Sequence, residues 1–279
     1  MKRFARLYAE LDATTSTSEK LAALGRYYAQ APAADSAWAT YFLAGGKPRQ
    51  VVPSRMLRDI ALRASGLDDW LFEECHLAVG DFAETVSLVL PAPALDDDAG
   101  LAEWVEQRLA PLRGAEAALI EEKLRAYWDR LGTRERFLLG KLISGEFRVG
   151  VSRLLVQRAL AAHGDIDTKT VAQRMMGYTD GALAPTAERF AALVDAATVH
   201  RATGQPYPFF LAHQLNAEPA MLGDAHDWMV EWKYDGIRSQ VVRHEGAAWI
   251  WSRGEELITE RFPEIAAAGR ALPEGTVLD

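Results

Sequence analysis

The chain has 279 residues, of which 49% are hydrophobic and 25% charged, and its formal net charge is −8. Such a composition excludes a disordered chain, and the length allows one large domain or two ordinary ones. The acidic total excludes a uniformly basic nucleic-acid coat but leaves local basic patches open.

The opening "MKRFARLYAELD" is interrupted by Arg6, Glu10 and Asp12, so it does not read as a secretory signal. Ser16 with Glu19 makes a capping box in front of "EKLAALGRYYAQ", where Leu21, Leu24, Tyr27 and Tyr28 share a helical face. A glycine- and proline-containing stretch, "GGKPRQVVPSRMLR", carries Lys47, Arg49, Arg55 and Arg58, and its first half reads as an exposed loop. The helix pattern of "SRMLRDIALRAS" follows, with Leu57, Ile60, Ala61 and Ala64 on one face. Cys75 is the single cysteine, so no internal disulfide can form, which fits a reducing compartment. Its neighbour His76 has no second Cys/His pair at metal spacing. The loop "PAPALDDDAG" separates this region from "GLAEWVEQRLAPLRG" and "EAALIEEKLRAYWDRLG", two helices each ended by glycine. Helices are then expected in "RERFLLGKLISGEFR", "SRLLVQRALAAHG" and "TAERFAALVDAATVHRA", with Met175 and Met176 as core packing.

The pattern changes at "TGQPYPFFLAHQL", where Gly204, Pro206 and Pro208 prevent a continuous helix. We place a domain boundary at 205/206. Beyond it the period falls to two. In "WMVEWKY", Val230, Trp232 and Tyr234 alternate with Met229, Glu231 and Lys233. "IRSQVVRHEGAAWIWSR" reads as two strands joined at His244-Glu245-Gly246, "ERFPEIAAAGRAL" as a helix, and "GTVLD" as the start of a further strand. No stretch approaches the roughly 18 apolar residues of a membrane span. A soluble, cytoplasmic, monomeric protein without membrane contact is expected.

Two stretches could carry chemistry. In "EWKYDG", Lys233 is either a solvated charge at the mouth of a hairpin or a nucleophile. A lysine amine attacks only when deprotonated, and an apolar surround or a neighbouring cation promotes that. Trp228, Trp232 and Tyr234 are candidates for the surround, and Arg238 and Arg253 for gripping phosphate or sugar oxygens. In "LISGEFRVGVSRLLVQRAL", Gly150 permits a tight turn and Ser152 can cap the next helix, whose free N–H groups suit a phosphate. Between Arg134 and Arg158, six basic residues (Arg134, Arg136, Lys141, Arg148, Arg153, Arg158) face Glu135 and Glu146. That is a local basic excess inside an acidic chain.

"EWKYDGIR" with "SRGEE" resembles the first motifs of the ATP-dependent DNA ligases, within the covalent nucleotidyltransferase superfamily. The resemblance implies that Glu231 reads adenine, that Lys233 becomes adenylylated, and that Arg238 and Arg253 contact the nucleotide. "FFLAH" at 209 to 213 is similar to the segment that packs near the base, departing from the family's Pro-Met at Phe209 and Phe210. The 142 to 160 stretch is similar to the Arg-x-Gly element of the family's DNA-binding domain, which implies DNA contacts at Arg148, Gly150, Ser152 and Arg153. The expected architecture is multidomain α and α+β: a helical DNA-binding domain over 1–205, then part of an antiparallel-sheet adenylylation domain over 206–279. The final "VLD" looks like the opening of the next family motif, which continues with Gly-Glu, so an incomplete adenylylation domain is expected. The resemblance implies ATP and Mg²⁺ as cofactors, no protein-only metal site, and nicked double-stranded DNA as substrate, in repair, replication or end joining. Two alternatives remain: a non-catalytic DNA-binding module, and another covalent nucleotidyltransferase such as an RNA ligase or capping enzyme.

Overall fold

The computed structural model describes the chain except residues 48–49, 146, 148, 176, 180, 182, 197–203, 210–217, 229–231, 233 and 255–256; the side chains at 169, 173 and 219 are also outside it. The chain divides into two compact units, Met1–Thr198 and Val199–Asp279.

The first unit is helical. Its helices are α1 (Lys2–Asp12), α2 (Thr17–Gln30), α3 (Ala33–Leu43), α4 (Ser54–Ser65), α5 (Asp69–Val79), α6 (Phe82–Val89), α7 (Leu101–Glu103), α8 (Ala117–Trp128), α9 (Thr133–Ser144), α10 (Arg153–Gly164), α11 (Thr168–Arg174) and α12 (Ala187–Val194). Local chemistry accounts for their ends. The Ser16 hydroxyl accepts from the Glu19 N–H, as the capping box requires. Gly66, Gly80 and Gly145 close α4, α5 and α9 in the left-handed conformation. Tertiary packing holds them together, because helices this short are marginal alone. On α1, Phe4, Leu7, Tyr8 and Leu11 recur at helical spacing and are all buried. Each such side chain contributes about 1.5–3 kcal/mol relative to exposure. No described helix is long and apolar enough to cross a membrane.

One expectation changes in this unit. "GLAEWVEQRLAPLRG" is not one α-helix: Trp104–Leu109 widens to a π-turn and Ala110–Leu112 tightens to 3₁₀. Pro111 has no N–H and its ring collides with the carbonyl four residues back, so the regular ladder cannot continue. The acidic loop 91–100 is tied to the helices beside it. Asp97 is buried and accepts from Arg108 at 2.6 Å, while Lys2 reaches Asp96 and Asp98. Burial pushes the Asp97 carboxyl up, but hydrogen bonds from Arg108 and the Ala99 N–H outweigh it and hold the group below its ordinary value.

The second unit is a three-stranded antiparallel sheet of order β2-β1-β3 with one covering helix. β1 is Ser239–His244, β2 Ala247–Ser252, β3 Val277–Leu278, and α13 Pro263–Arg270. Glu245 (φ 51°) and Gly246 (φ 79°) form the two-residue turn between β1 and β2. Positive φ at both central residues is the backbone of a type I′ turn, which matches the strand twist. Glu245 is strained there, and its exposed carboxylate lies 3.8 Å from His244 Nε2. Glu245→Asn is therefore expected to stabilise the unit by about 0.5–1 kcal/mol, since asparagine tolerates the left-handed region. Denaturant unfolding followed by tryptophan fluorescence checks this; an unchanged or lower midpoint would count against it.

The two faces of the sheet bury differently. Ala248 and Ile250 lie under α13, and a Cβ on Gly269 would come within 2.9 Å of Ala248 and Val241. The opposite face carries Gln240, Val242, Trp249 and Trp251. Gly204 lies against it: Trp251 Nε1 donates to the Gly204 carbonyl at 2.8 Å, and a Cβ at Gly204 would strike the Trp249 ring.

The expected strand over "WMVEWKY" is not seen at its described members. Trp232 and Tyr234 belong to no strand, and Met229, Val230, Glu231 and Lys233 lie outside the described residues. Alternation assigns faces but supplies no hydrogen-bond partner, and both edges of β1 are taken by β2 and β3.

Candidate functional site

In the second unit the site is built around Arg238, the residue before β1. Continuing the β1–β2 register by one pair brings Arg253 opposite Arg238, and the Arg253 N–H donates to the Arg238 carbonyl at 3.2 Å. The short ladder to β3 brings Asp279 beside β1 from the other side. There Arg238 Nε and one terminal nitrogen donate to the two Asp279 carboxylate oxygens, each at 2.9 Å. A bidentate pair of this kind fixes the guanidinium plane. A third support comes from the interdomain segment. Gln240, 2% exposed, accepts from the Tyr207 N–H at 2.6 Å, and the Arg238 guanidinium sits 5.8 Å from the centre of the Phe209 ring. Arg238 is thus oriented by an edge contact and a face contact. Arg253 is exposed. Lys233 and Glu231 lie outside the described residues.

The apolar enclosure expected from the aromatics is not formed by them. Trp232 is 86% exposed, Tyr234 87% and Trp228 51%. Aromatic composition states what a segment can pack with, not that a surface exists nearby to receive it. Among the described residues no group of three or more His, Cys, Asp or Glu side chains could hold a metal ion.

In the first unit the element is the loop between α9 and α10. Phe147 is anchored among Phe4, Tyr8 and Phe42, at ring-centroid distances of 5.8, 5.2 and 5.6 Å. Val149 is buried, and Gly150 turns outward with φ 60°. The exposed Ser152 accepts from the Leu155 N–H and caps α10. Arg153, half-buried, donates to the Met175 carbonyl at 2.6 Å, so part of its donor set is structural. Arg148 lies outside the described residues. Beneath the loop, Lys20 Nζ donates to the Gly150 carbonyl at 2.7 Å.

The basic excess counted between Arg134 and Arg158 is only partly exposed among the described residues. Arg136 is 3% exposed and spends its donors on the carbonyls of Trp128, Leu90 and Pro91. Burial pulls its guanidinium below its ordinary value, with Asp129 opposing. Lys141 is paired with Asp81. Arg134 and Arg158 are exposed. In the second basic stretch, Arg58 is paired with Asp69 and Glu73, whereas Lys47 is exposed. Charge counts along a sequence ignore burial, which is decided by residues far away. Three supporting residues escaped the sequence reading. Asp279 stood in the motif-like "VLD" but with nothing to pair it with Arg238, and Gln240 carried no signal. Lys20 did, as a cation among the apolar positions Ala23, Leu24 and Tyr27 of α2.

The family model "DNA ligase N terminus" matches residues 1–161, and "ATP dependent DNA ligase domain" matches residues 209–279. Similar curated proteins include a probable DNA ligase of Opitutus terrae, 27% identical over 99% of this chain and 34% of that protein. Another, from Koribacter versatilis, is 27% identical over 100% of this chain and 49% of its own length. A probable DNA ligase of Streptomyces coelicolor is 37% identical over 50% of this chain and 27% of that protein. The chain therefore spans between a third and a half of the first two relatives. With its helical unit matching the N-terminal region and its sheet unit matching the ligase domain, the chain belongs to the ATP-dependent DNA ligase family.

Proposed function

We propose that this chain carries the nick-holding and self-adenylylating parts of an ATP-dependent DNA ligase. The observation that carries the reading is the oriented pair in the ligase-domain match: Arg238, clamped by Asp279 and faced by Phe209, joined through its main chain to Arg253. One oriented guanidinium with a second, exposed one at the paired chain position suits an anionic, hydroxyl-rich ligand, which is what ATP presents. Glu231 reads the base. Lys233 Nζ, having lost a proton, attacks the α-phosphorus; a P–N bond forms and the P–O bond to pyrophosphate breaks. The adenylyl group then passes to the 5′-phosphate of a nick, and the 3′-hydroxyl displaces AMP. Positioning and charge stabilisation do most of the work in such displacements. Mg²⁺ arriving on the phosphates would offset charge there and on the leaving group.

The helical domain, 1–205 in this assignment, holds nicked duplex through phosphates at Arg148, Gly150, Ser152 and Arg153, while 206–279 carries the nucleotide chemistry. Binding is then weakly sequence-dependent and strongly salt-dependent. The protein works as a cytoplasmic monomer. The test is covalent labelling with α-³²P-ATP and Mg²⁺ on a denaturing gel; absence of label on a folded protein would favour a DNA-binding module without catalysis. Because Arg153 also braces the fold, the cleaner DNA variant is Arg148→Glu. It is expected to weaken nick affinity by about tenfold at low salt and to leave labelling unchanged. Unchanged DNA affinity would remove this element from the account.

A further inference from the structure

Lys20 lies on the buried side of α2, 9% exposed, in line with Ala23, Leu24 and Tyr27. A lysine is almost never buried without a charged partner. Among the described residues no carboxylate pairs with Lys20; its recorded side-chain acceptor is the Gly150 carbonyl, 130 residues away and 2.7 Å from Nζ. Gly150 adopts φ 60°, and a Cβ there would come within 3.4 Å of Nζ. The turn and the lysine are therefore in direct contact.

The consequence follows from peptide planarity. In a trans peptide the C=O and the following N–H point in opposite directions. With the Gly150 carbonyl drawn inward to Lys20, the Val151 N–H is turned away from it, toward the side on which Gly150 and Ser152 are exposed. That N–H has no hydrogen-bond partner among the described residues. A cation bonded to the carbonyl also polarises the peptide and makes its N–H a stronger donor. The N-terminus of α10, twelve residues long and capped by Ser152, begins at the next position and adds its dipole in the same place.

We propose that Lys20 is a positioning residue for DNA: it locks the Gly150–Val151 peptide so that the Val151 N–H is presented to a backbone phosphate of the bound duplex. The proposal rests on the reading that the helical unit holds DNA. Lys20 does not touch the phosphate; it acts through the peptide.

The experiment uses the whole chain with three variants, Lys20→Met, Lys20→Gln and Lys20→Arg. The order parameter and chemical shift of the Val151 amide are measured by NMR on the free protein, and affinity for a fluorescent nicked duplex is measured across a salt series, well below each variant's melting midpoint. Lys20→Met keeps the packing but leaves the Gly150 carbonyl without its donor, so its melting midpoint should fall modestly. Its Val151 order parameter should fall from the rigid range to below about 0.6 and its nick affinity fall about tenfold, with Lys20→Arg restoring most of both. The salt slope should drop by less than one ion, since no phosphate contact is itself deleted. Lys20→Gln, too short to reach the carbonyl, should behave like Lys20→Met and serves in its place if that variant fails to fold. An unchanged Val151 order parameter overturns the proposal, as does a lowered one with undiminished affinity. Absence of nick binding by the unaltered chain overturns the DNA-holding reading itself. That outcome is separable because it appears before any substitution is made.

Discussion

Lys233→Ala is expected to reduce label transfer from α-³²P-ATP to background, a loss of about 10³-fold or more, while nick affinity changes by less than about twofold. The size follows from the chemistry. A phosphoramidate needs an amine at that position, and alanine offers none; water could hydrolyse ATP there but would leave no covalent label. The separation of effects follows from the fold. The helical unit has its own core, running from Phe4 and Leu24 through Leu138 and Val156, whereas the sheet unit has a separate one around Ile250, Ile258 and Ala266. A single substitution in one should not travel to the other. The labelling should be run on this chain and on any longer form that its gene encodes, with the variant made in both. Label that survives Lys233→Ala would place the nucleophile elsewhere. Loss of nick binding in the same variant would end the division of labour between the two units.

The largest stability effect is expected at Arg136. Arg136→Met keeps most of the apolar stem but withdraws hydrogen bonds of 2.6 and 2.8 Å from the Trp128 carbonyl and one of 2.7 Å from Pro91. Trp128 is the last residue of α8, where carbonyls have no partner within the helix and a cation is favoured. Leaving buried acceptors unpaired should cost about 3–4 kcal/mol, or a fall of roughly 6–16 °C in the melting midpoint of the helical unit. The variant that remains folded at low temperature should bind nicked DNA as tightly as the parent, because this guanidinium faces carbonyls and not solvent. A stability change under about 1 kcal/mol would contradict the structural role. Weakened DNA binding with unchanged stability would return Arg136 to the basic surface.

These two residues mark the limit of what a linear reading can establish. The Glu-x-Lys-x-Asp-Gly spacing is a local pattern, so it was legible without a structure, and so were the features that depend on near neighbours. The capping box at Ser16, the Ser152 cap and the turn at Glu245-Gly246 all arise from backbone groups within a few residues of one another. Such groups satisfy each other in any tertiary context. The change from helical to strand periodicity past Gly204 was legible for the same reason. The glycine end expected at Gly132 is not one: α8 stops at Trp128, and Gly132 sits at the start of α9.

Burial and partnership were not. Arg136 and Arg134 look equivalent in the sequence, yet one fills carbonyls contributed from Leu90, Pro91 and Trp128 and the other faces solvent. Trp251 and Trp232 have similar aromatic neighbours, but only Trp251 meets Gly204 across the sheet. Lys20 and Gly150 are 130 residues apart, and Arg238 and Asp279 are 41 apart. Motif spacing, the Ser16 and Ser152 caps and the hairpin turn can be read along the chain because they depend on contacts a few residues long. Which cations stay exposed and which are spent on carbonyls follows from packing, because desolvation and hydrogen-bond supply depend on what the rest of the chain brings alongside.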